Sequence, residues 1–172
     1  MLNVTLLALL VSALSHDEMA NPEYRRWAAF EGGSLVVIKT IDEAHRLEIT
    51  STTTLKSKGD KEIALEIQIS MLVADRKIEL PAQIRMLPAT IEKRLVGEDR
   101  KKPDTGEETL KIAQRDLLCT WTQTLIESGQ SKIRSKVWMC AAVPGGLVRM
   151  ESETSGATRM KMKRHLVSFV AK

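Results

Sequence analysis

"LLCTWTQTLIESGQSKIRSKVWMC", residues 117–140, holds both cysteines of the chain and two of its three tryptophans. It reads Cys-x-Trp going out and Trp-x-Cys coming back. Ser128-Gly129-Gln130-Ser131 is a turn signal between two runs of alternating residues. Glycine at the first central position accepts the positive φ that a type II′ loop demands. With Gly129-Gln130 as a two-residue loop, Trp121 faces Trp138 and Cys119 faces Cys140. One register aligns both like pairs, and neither pair is used to choose it. Both fall at non-hydrogen-bonded positions, where Cα atoms approach to about 4.5 Å. That spacing suits a disulfide. A Cys119–Cys140 bridge is therefore expected, worth about 3 kcal/mol by chain entropy. The Trp pair is expected to add about 0.5–1.5 kcal/mol beyond its burial. Two buried free thiols are the other reading of the same pattern. A redox or metal role is not indicated, because there is no C-x-x-C and no histidine close to either cysteine.

Outward from this hairpin the period stays at two. "SLVVIKT" (34–40) is a short strand. "LEITSTTTLK" (47–56) puts Leu47, Ile49 and Leu55 on one face. "EIALEIQISML" (62–72) alternates cleanly, with Ile63, Leu65, Ile67, Ile69 and Met71 facing one way. Lys58-Gly59-Asp60 joins these two as a hairpin. "RKIELPAQIRM" (76–86) follows with Ile78, Leu80, Ala82, Ile84 and Met86 in the same phase. An Ala74-Asp75 turn sets Met71 opposite Ile78. The result is an antiparallel meander with one apolar and one polar face. Pro81 cannot donate to a ladder, so it belongs at an edge or a bulge. Residues 92–108, dense in charge, read as a solvated loop. "TLKIA" resumes the strands, Pro-Gly-Gly at 144–146 breaks them, and "VPGGLVRMES" turns into another. In the last strand Met160 and Met162 point inward and Arg159, Lys161 and Lys163 outward. The phase slips near Arg164-His165, which suggests a β-bulge.

Asn21-Pro22 is a helix start, with Asn as N-cap and Pro at the first helical position. Tyr24, Trp27 and Phe30 then share one side at spacing three, as a plug or lid on the sheet. The Gly32-Gly33 pair ends the helix. Upstream, residues 2–14 are apolar or small apart from Asn3, and Ala13-Leu14-Ser15 suits a signal peptidase. A signal peptide over 1–15 and a single exported β-rich domain over 16–172 follow, with the periplasm or extracellular space as compartment. The run is too short to span a bilayer. It lacks the Lys or Arg of a usual n-region.

Composition narrows the function classes. Charged residues make up 28% and the net charge is +4, from 26 basic and 22 acidic residues. Signs so mixed argue poorly for nucleic acid. Aromatics at 3% are too few for a single-strand stacking platform. His16, His45 and His165 are scattered, and no nucleophile elbow, zincin, phosphate-loop or dinucleotide motif occurs. No enzyme, cofactor or metal site is expected. Two features suit binding. Met71, Met86, Met139, Met150, Met160 and Met162 all fall in strands, and methionine adapts to irregular apolar ligands, or simply fills a core poor in aromatics. The basic outer face of the last strand suits anionic headgroups, or guards an edge against aggregation.

Three segments, "NPEYRRWAAFEGGSLV", "GEETLKIAQRDLLCTW" and "KVWMCAAVPGGLVRMES", carry a resemblance to a family of small, exported, uncharacterised bacterial proteins of planctomycete type. The shared pattern is an early Trp-x-x-Phe before Gly-Ser, a Cys-x-Trp strand, and a Trp followed by Pro-Gly-Gly. More remotely, the helix-plus-sheet plan is similar to LolA-like periplasmic lipoprotein carriers, whose half-barrel and helical lid enclose an acyl-chain cavity. That similarity implies a fold and transfers no site residue. The chain departs from it in having one helix and few aromatics.

The expected fold is mainly β: a large curled antiparallel sheet, or half-barrel, of about nine or ten strands with a short N-terminal helix. The expected function is non-catalytic binding of a hydrophobic or lipid-like ligand, or of a lipoprotein, in the cell envelope. Ile67, Ile69, Met71, Met86, Met160 and Met162 would form the inward face and Tyr24, Trp27 and Phe30 the lid. The alternative is a structural or protein-interaction domain with a filled core. Peripheral membrane contact fits either, and oligomeric state is not readable.

Overall fold

The computed structural model describes residues 18–73, 76–92, 102–129, 131–156 and 159–172. The leader, His16, the Ala74-Asp75 turn, residues 93–101 of the expected loop and Gln130 lie outside the described residues. A short strand β1 (Glu18–Ala20) precedes α1 (Pro22–Ala28), the one helix among the described residues. The meander follows as β2 (Leu35–Asp42), β3 (Leu47–Lys58), β4 (Glu62–Val73), β5 (Arg76–Glu79) and β6 (Gln83–Pro88). Then come β7 (Thr90–Glu92), β8 (Asp104–Ile112), β9 (Arg115–Ser128), β10 (Ser131–Met139), β11 (Leu147–Ser155) and β12 (Met160–Val170). Ten strands form one antiparallel sheet in the order β5-β4-β3-β2-β12-β11-β10-β9-β8, with β6 also on β4. The sheet stays open, with β5 and β6 at one edge and β8 at the other. The mainly-β, curled-sheet expectation holds.

The hairpin that opened the sequence reading forms in the expected register. Trp138 pairs with Trp121, and Ser131 with Ser128. Gly129 takes φ +58°, the left-handed conformation that its lack of a Cβ permits. Gly106 on β8 lies opposite Trp121. A Cβ at Gly106 would sit 2.6 Å from the indole, so the ring occupies the space a side chain would fill.

The disulfide expectation is corrected. The β9–β10 ladder ends at Met139 opposite Thr120, one residue short of Cys140. There the chain turns: Cys140 N–H donates to Gly146 O at 2.8 Å, closing the 140–146 loop. Cys119 and Cys140 are both buried and both free. They remain neighbours, with Cys140 among the groups that act on the Cys119 thiol. Cys119 Sγ donates to Leu117 O at 3.4 Å. The ladder therefore does not extend to Cys140, and the opposition of the two cysteines that the register implied is not carried by strand pairing.

A second correction concerns the phase beyond Pro81. Before it, Met71 pairs with Ile78 as expected. After it, Leu65 pairs with Arg85 and Ile63 with Leu87, a slip of one residue. Pro81 has no N–H, and the chain bulges out of the ladder at residues 80–82. Leu80 N–H still reaches Ile69 O at 2.9 Å, and Gln68 Nε2 donates to Leu80 O at 2.9 Å. A one-residue slip exchanges the faces. Ile84 and Met86 therefore point outward, 59% and 49% exposed, while Leu87 is buried.

Three smaller differences complete the comparison. The 92–108 segment is not all loop, because β8 begins at Asp104 and pairs with β9 through Gln123. As an edge strand it tolerates charge on its faces. Thr90–Glu92, as β7, pairs with β1 in a separate two-stranded sheet. The bulge in β12 falls between Leu166 and Ser168, not at Arg164-His165.

Asn21 ties the helix to this framework. Its Oδ1 accepts from the N–H groups of Glu23 and Tyr24 at 3.0 and 3.4 Å. Its Nδ2 donates to Pro88 O at 2.8 Å, and its N–H to Ala89 O at 2.8 Å. The side chain thus caps α1 and anchors it to the end of β6. Asn21→Ala is expected to cost about 1–2 kcal/mol, read as a lower urea midpoint at unchanged slope.

Candidate functional site

Cross-strand partners share a face. Following the register from β4, Ile69 pairs with Ser51, Ser51 with Ile38, and Ile38 with Leu166. Two residues back on β12, Arg164 pairs with Met150, which pairs with Val137. This face of β2–β4 carries Val36, Ile38, Leu55, Leu65, Ile67 and Ile69, and α1 lies across it. Trp121 and Trp138 occupy the opposite face.

Between α1 and the first face runs a groove of about 500 Å³. Its floor is Val36, Ile38, Leu65, Ile67 and Ile69. Trp27, 4% exposed, lines it together with Pro144 and Gly145 of the 140–146 loop. Gly145 has φ +72°, and a Cβ there would lie 2.7 Å from the Trp27 indole. Helix and loop are thus locked by one close approach, reinforced by Gly145 N–H donating to Arg26 O at 3.3 Å.

Charged residues stand along the groove: Glu23, Arg26, Arg85 and Arg164. Arg85 makes a bidentate pair with Glu23, with Nη1–Oε1 and Nη2–Oε2 both at 2.9 Å. This fork bridges α1 and β6. Arg164 is partly buried, and its Nε is enclosed with no hydrogen-bond partner.

Of the residues expected on the inward face, Ile67 and Ile69 line the groove. Met71, Met160 and Met162 are partly buried but lie outside its lining. Met86 is on the other side of the sheet. Of the lid residues, Trp27 is in place. Tyr24 and Phe30 pack on the buried cluster instead. Tyr24 Oη donates to Gly59 O at 2.6 Å, which pins α1 to the β3–β4 turn. Phe30 falls beyond the last helical residue, Ala28.

The polar groups of the groove escaped the sequence reading, although the signals were present. Arg164 continues the alternation of Met160 and Met162, so period two alone places it inward. Assuming a slip at that point turned it outward. Arg85 faces inward because of the Pro81 bulge, whose existence, but not its effect on phase, was expected.

The opposite face has its own polar ladder. Lys136 Nζ lies 4.1 Å from the Trp121 ring centroid and 4.6 Å from that of Trp138. The Arg149 guanidinium lies 5.0 Å from the Trp138 ring. Trp138 Nε1 donates to Glu108 Oε2 at 2.8 Å. The Trp pair is therefore interleaved with cations rather than left as an aromatic pair alone. Nearby, Leu110, Ile112, Arg149, Glu151, Lys163 and His165 border a hollow of about 350 Å³. Of its charged lining, Arg149 pairs with Glu151 and Lys163 with Glu43 at 2.6 Å, while Lys111 and Arg164 also border it. Burial, with Lys39 and Arg149 close by, holds the His165 imidazole below its ordinary range. His45, in the β2–β3 turn, is 2.7 Å from Asp42 Oδ2 and lines neither hollow. Among the described residues no cluster of three His, Cys, Asp or Glu could hold a metal ion.

No protein-family model matches the chain, and no curated relative does.

Proposed function

We propose that this protein is a non-catalytic carrier or receptor of the cell envelope, holding a hydrophobic or lipid-like ligand, or the acyl chain of a lipoprotein, under α1. The observation that carries this reading is the groove of about 500 Å³ with its aliphatic floor. Small-molecule sites span about 300–1,000 Å³. The ligand would be held by burying apolar area, about 25 cal/mol per Å². The resemblance to LolA-like carriers supports the same reading at the level of fold. Export rests on the apolar run at the N-terminus and on the family resemblance, since the free cysteines no longer support it.

The second reading is an envelope domain that binds another protein. It is favoured by Leu72, Ile84 and Met86, which share the outer face of β4 and β6 and are exposed. Native mass spectrometry after detergent-free purification separates the two. A carrier is expected to fly with a bound lipid mass, lost in Ile67→Asp. A bare chain in every preparation overturns the carrier reading.

A further inference from the structure

Resting on that reading, we infer that the ligand is an anionic single-chain amphiphile whose carboxylate or phosphate head pairs with Arg164. Four ionisable side chains line the groove, one acidic and three basic. The acid, Glu23, is fully engaged by the Arg85 fork. That leaves Arg26 and Arg164 as guanidiniums with no carboxylate partner among the described residues, beside an aliphatic floor. Arg164 is the deeper of the two in the sheet, placed by its pairing between Thr40 and Met150. Its Nε is withdrawn from solvent without a hydrogen-bond acceptor.

Such a group is costly. A buried donor normally has an acceptor, and an enclosed guanidinium nitrogen left unmatched forfeits that bond. A purely apolar ligand would cover the groove and leave the defect in place, and a neutral hydroxyl would supply one acceptor but no opposite charge. An anionic head supplies the acceptor, and guanidinium binds carboxylate and phosphate oxygens through paired N–H groups. The chain of the amphiphile then lies along Ile38, Ile67 and Ile69 toward Trp27. Charge and apolar surface in one groove thus match the two halves of one ligand.

The test uses the full mature chain and displacement of the neutral fluorophore N-phenyl-1-naphthylamine at pH 8. Dodecanoate, dodecyl phosphate and dodecanol share one chain length and differ in the head. One or both anions are expected to displace the fluorophore at concentrations about tenfold below dodecanol. Whichever anion leads identifies the head. In Arg164→Gln that advantage is expected to vanish while dodecanol is unchanged. Should that variant fail to fold, the wild-type comparison decides the head charge and Arg164→Lys tests the assignment, with a reduced advantage expected. Equal displacement by all three overturns the anionic head and leaves the groove reading standing. An anion advantage that survives in Arg164→Gln overturns the assignment to Arg164. Failure of the fluorophore and all three amphiphiles to bind overturns both.

Discussion

Trp27→Ala is expected to destabilise the fold by about 3–5 kcal/mol, the cost of deleting a buried indole from a site that cannot collapse. Domains of this size hold about 5–15 kcal/mol in total, so this one substitution removes a large share. The site resists collapse for a stated reason. The indole touches the Gly145 backbone so closely that a single methyl there would overlap it. Gly145 in turn sits in a loop fixed by Cys140 N–H to Gly146 O and Gly146 N–H to Val143 O, both at 2.8 Å. The loop cannot follow the vacated space without breaking those bonds. Gly145→Ala is expected to act from the other side, by strain at φ +72° and by displacing the ring. Urea unfolding followed by circular dichroism measures both. A loss below about 1 kcal/mol for Trp27→Ala would show that the helix and loop are held elsewhere.

The parts of the molecule legible in the sequence are those where local chemistry and long-range packing agree. Gly129 marks the hairpin turn because only a residue without a Cβ takes that φ freely, and the Trp121–Trp138 register follows from it. Asn21 and Pro22 mark the helix start because cap and first-turn chemistry are local. Ile67 and Ile69 are legible because β4 is a central strand with an unbroken alternation of two. What failed were inferences carried across an irregularity. Pro81 announces a bulge, but the number of residues it absorbs depends on how Leu80 and Gln68 satisfy the edge of β4. That one residue decides whether Met86 or Arg85 faces the groove. The disulfide failed similarly: opposition of Cys119 and Cys140 assumed that the ladder runs to its end, whereas the Pro-Gly-Gly loop draws Cys140 out of it. Arg164 was the inward residue that composition made least credible, since an arginine on an aliphatic face looks like a phase error. Its unmatched nitrogen makes it a binding feature instead.

The two cysteines give the last prediction. Native protein is expected to be almost inert to a thiol reagent at pH 8, and denatured protein to release two thiols per chain. Burial, then the neighbouring Cys140 thiol, pushes Cys119 up to about 11. At pH 8 its thiolate fraction is on the order of one in a thousand, against about one in four for an ordinary cysteine near 8.5. The attacking species is therefore roughly 200-fold depleted before access is considered. Access is poor as well, since both side chains are buried. Reaction should accelerate as pH rises toward 11, because the thiolate population grows about tenfold per unit below the pKa. Stability should move the opposite way. Between about pH 9 and pH 11 the unfolded chain loses the Cys119 proton while the folded chain keeps it, so the folded state weakens with rising pH. Cys119→Ala removes that ionisation and should flatten this limb of the profile. A native chain that reacts at the rate of a free thiol, or an unfolded one that releases none, would contradict the buried, unbonded pair on which this expectation stands.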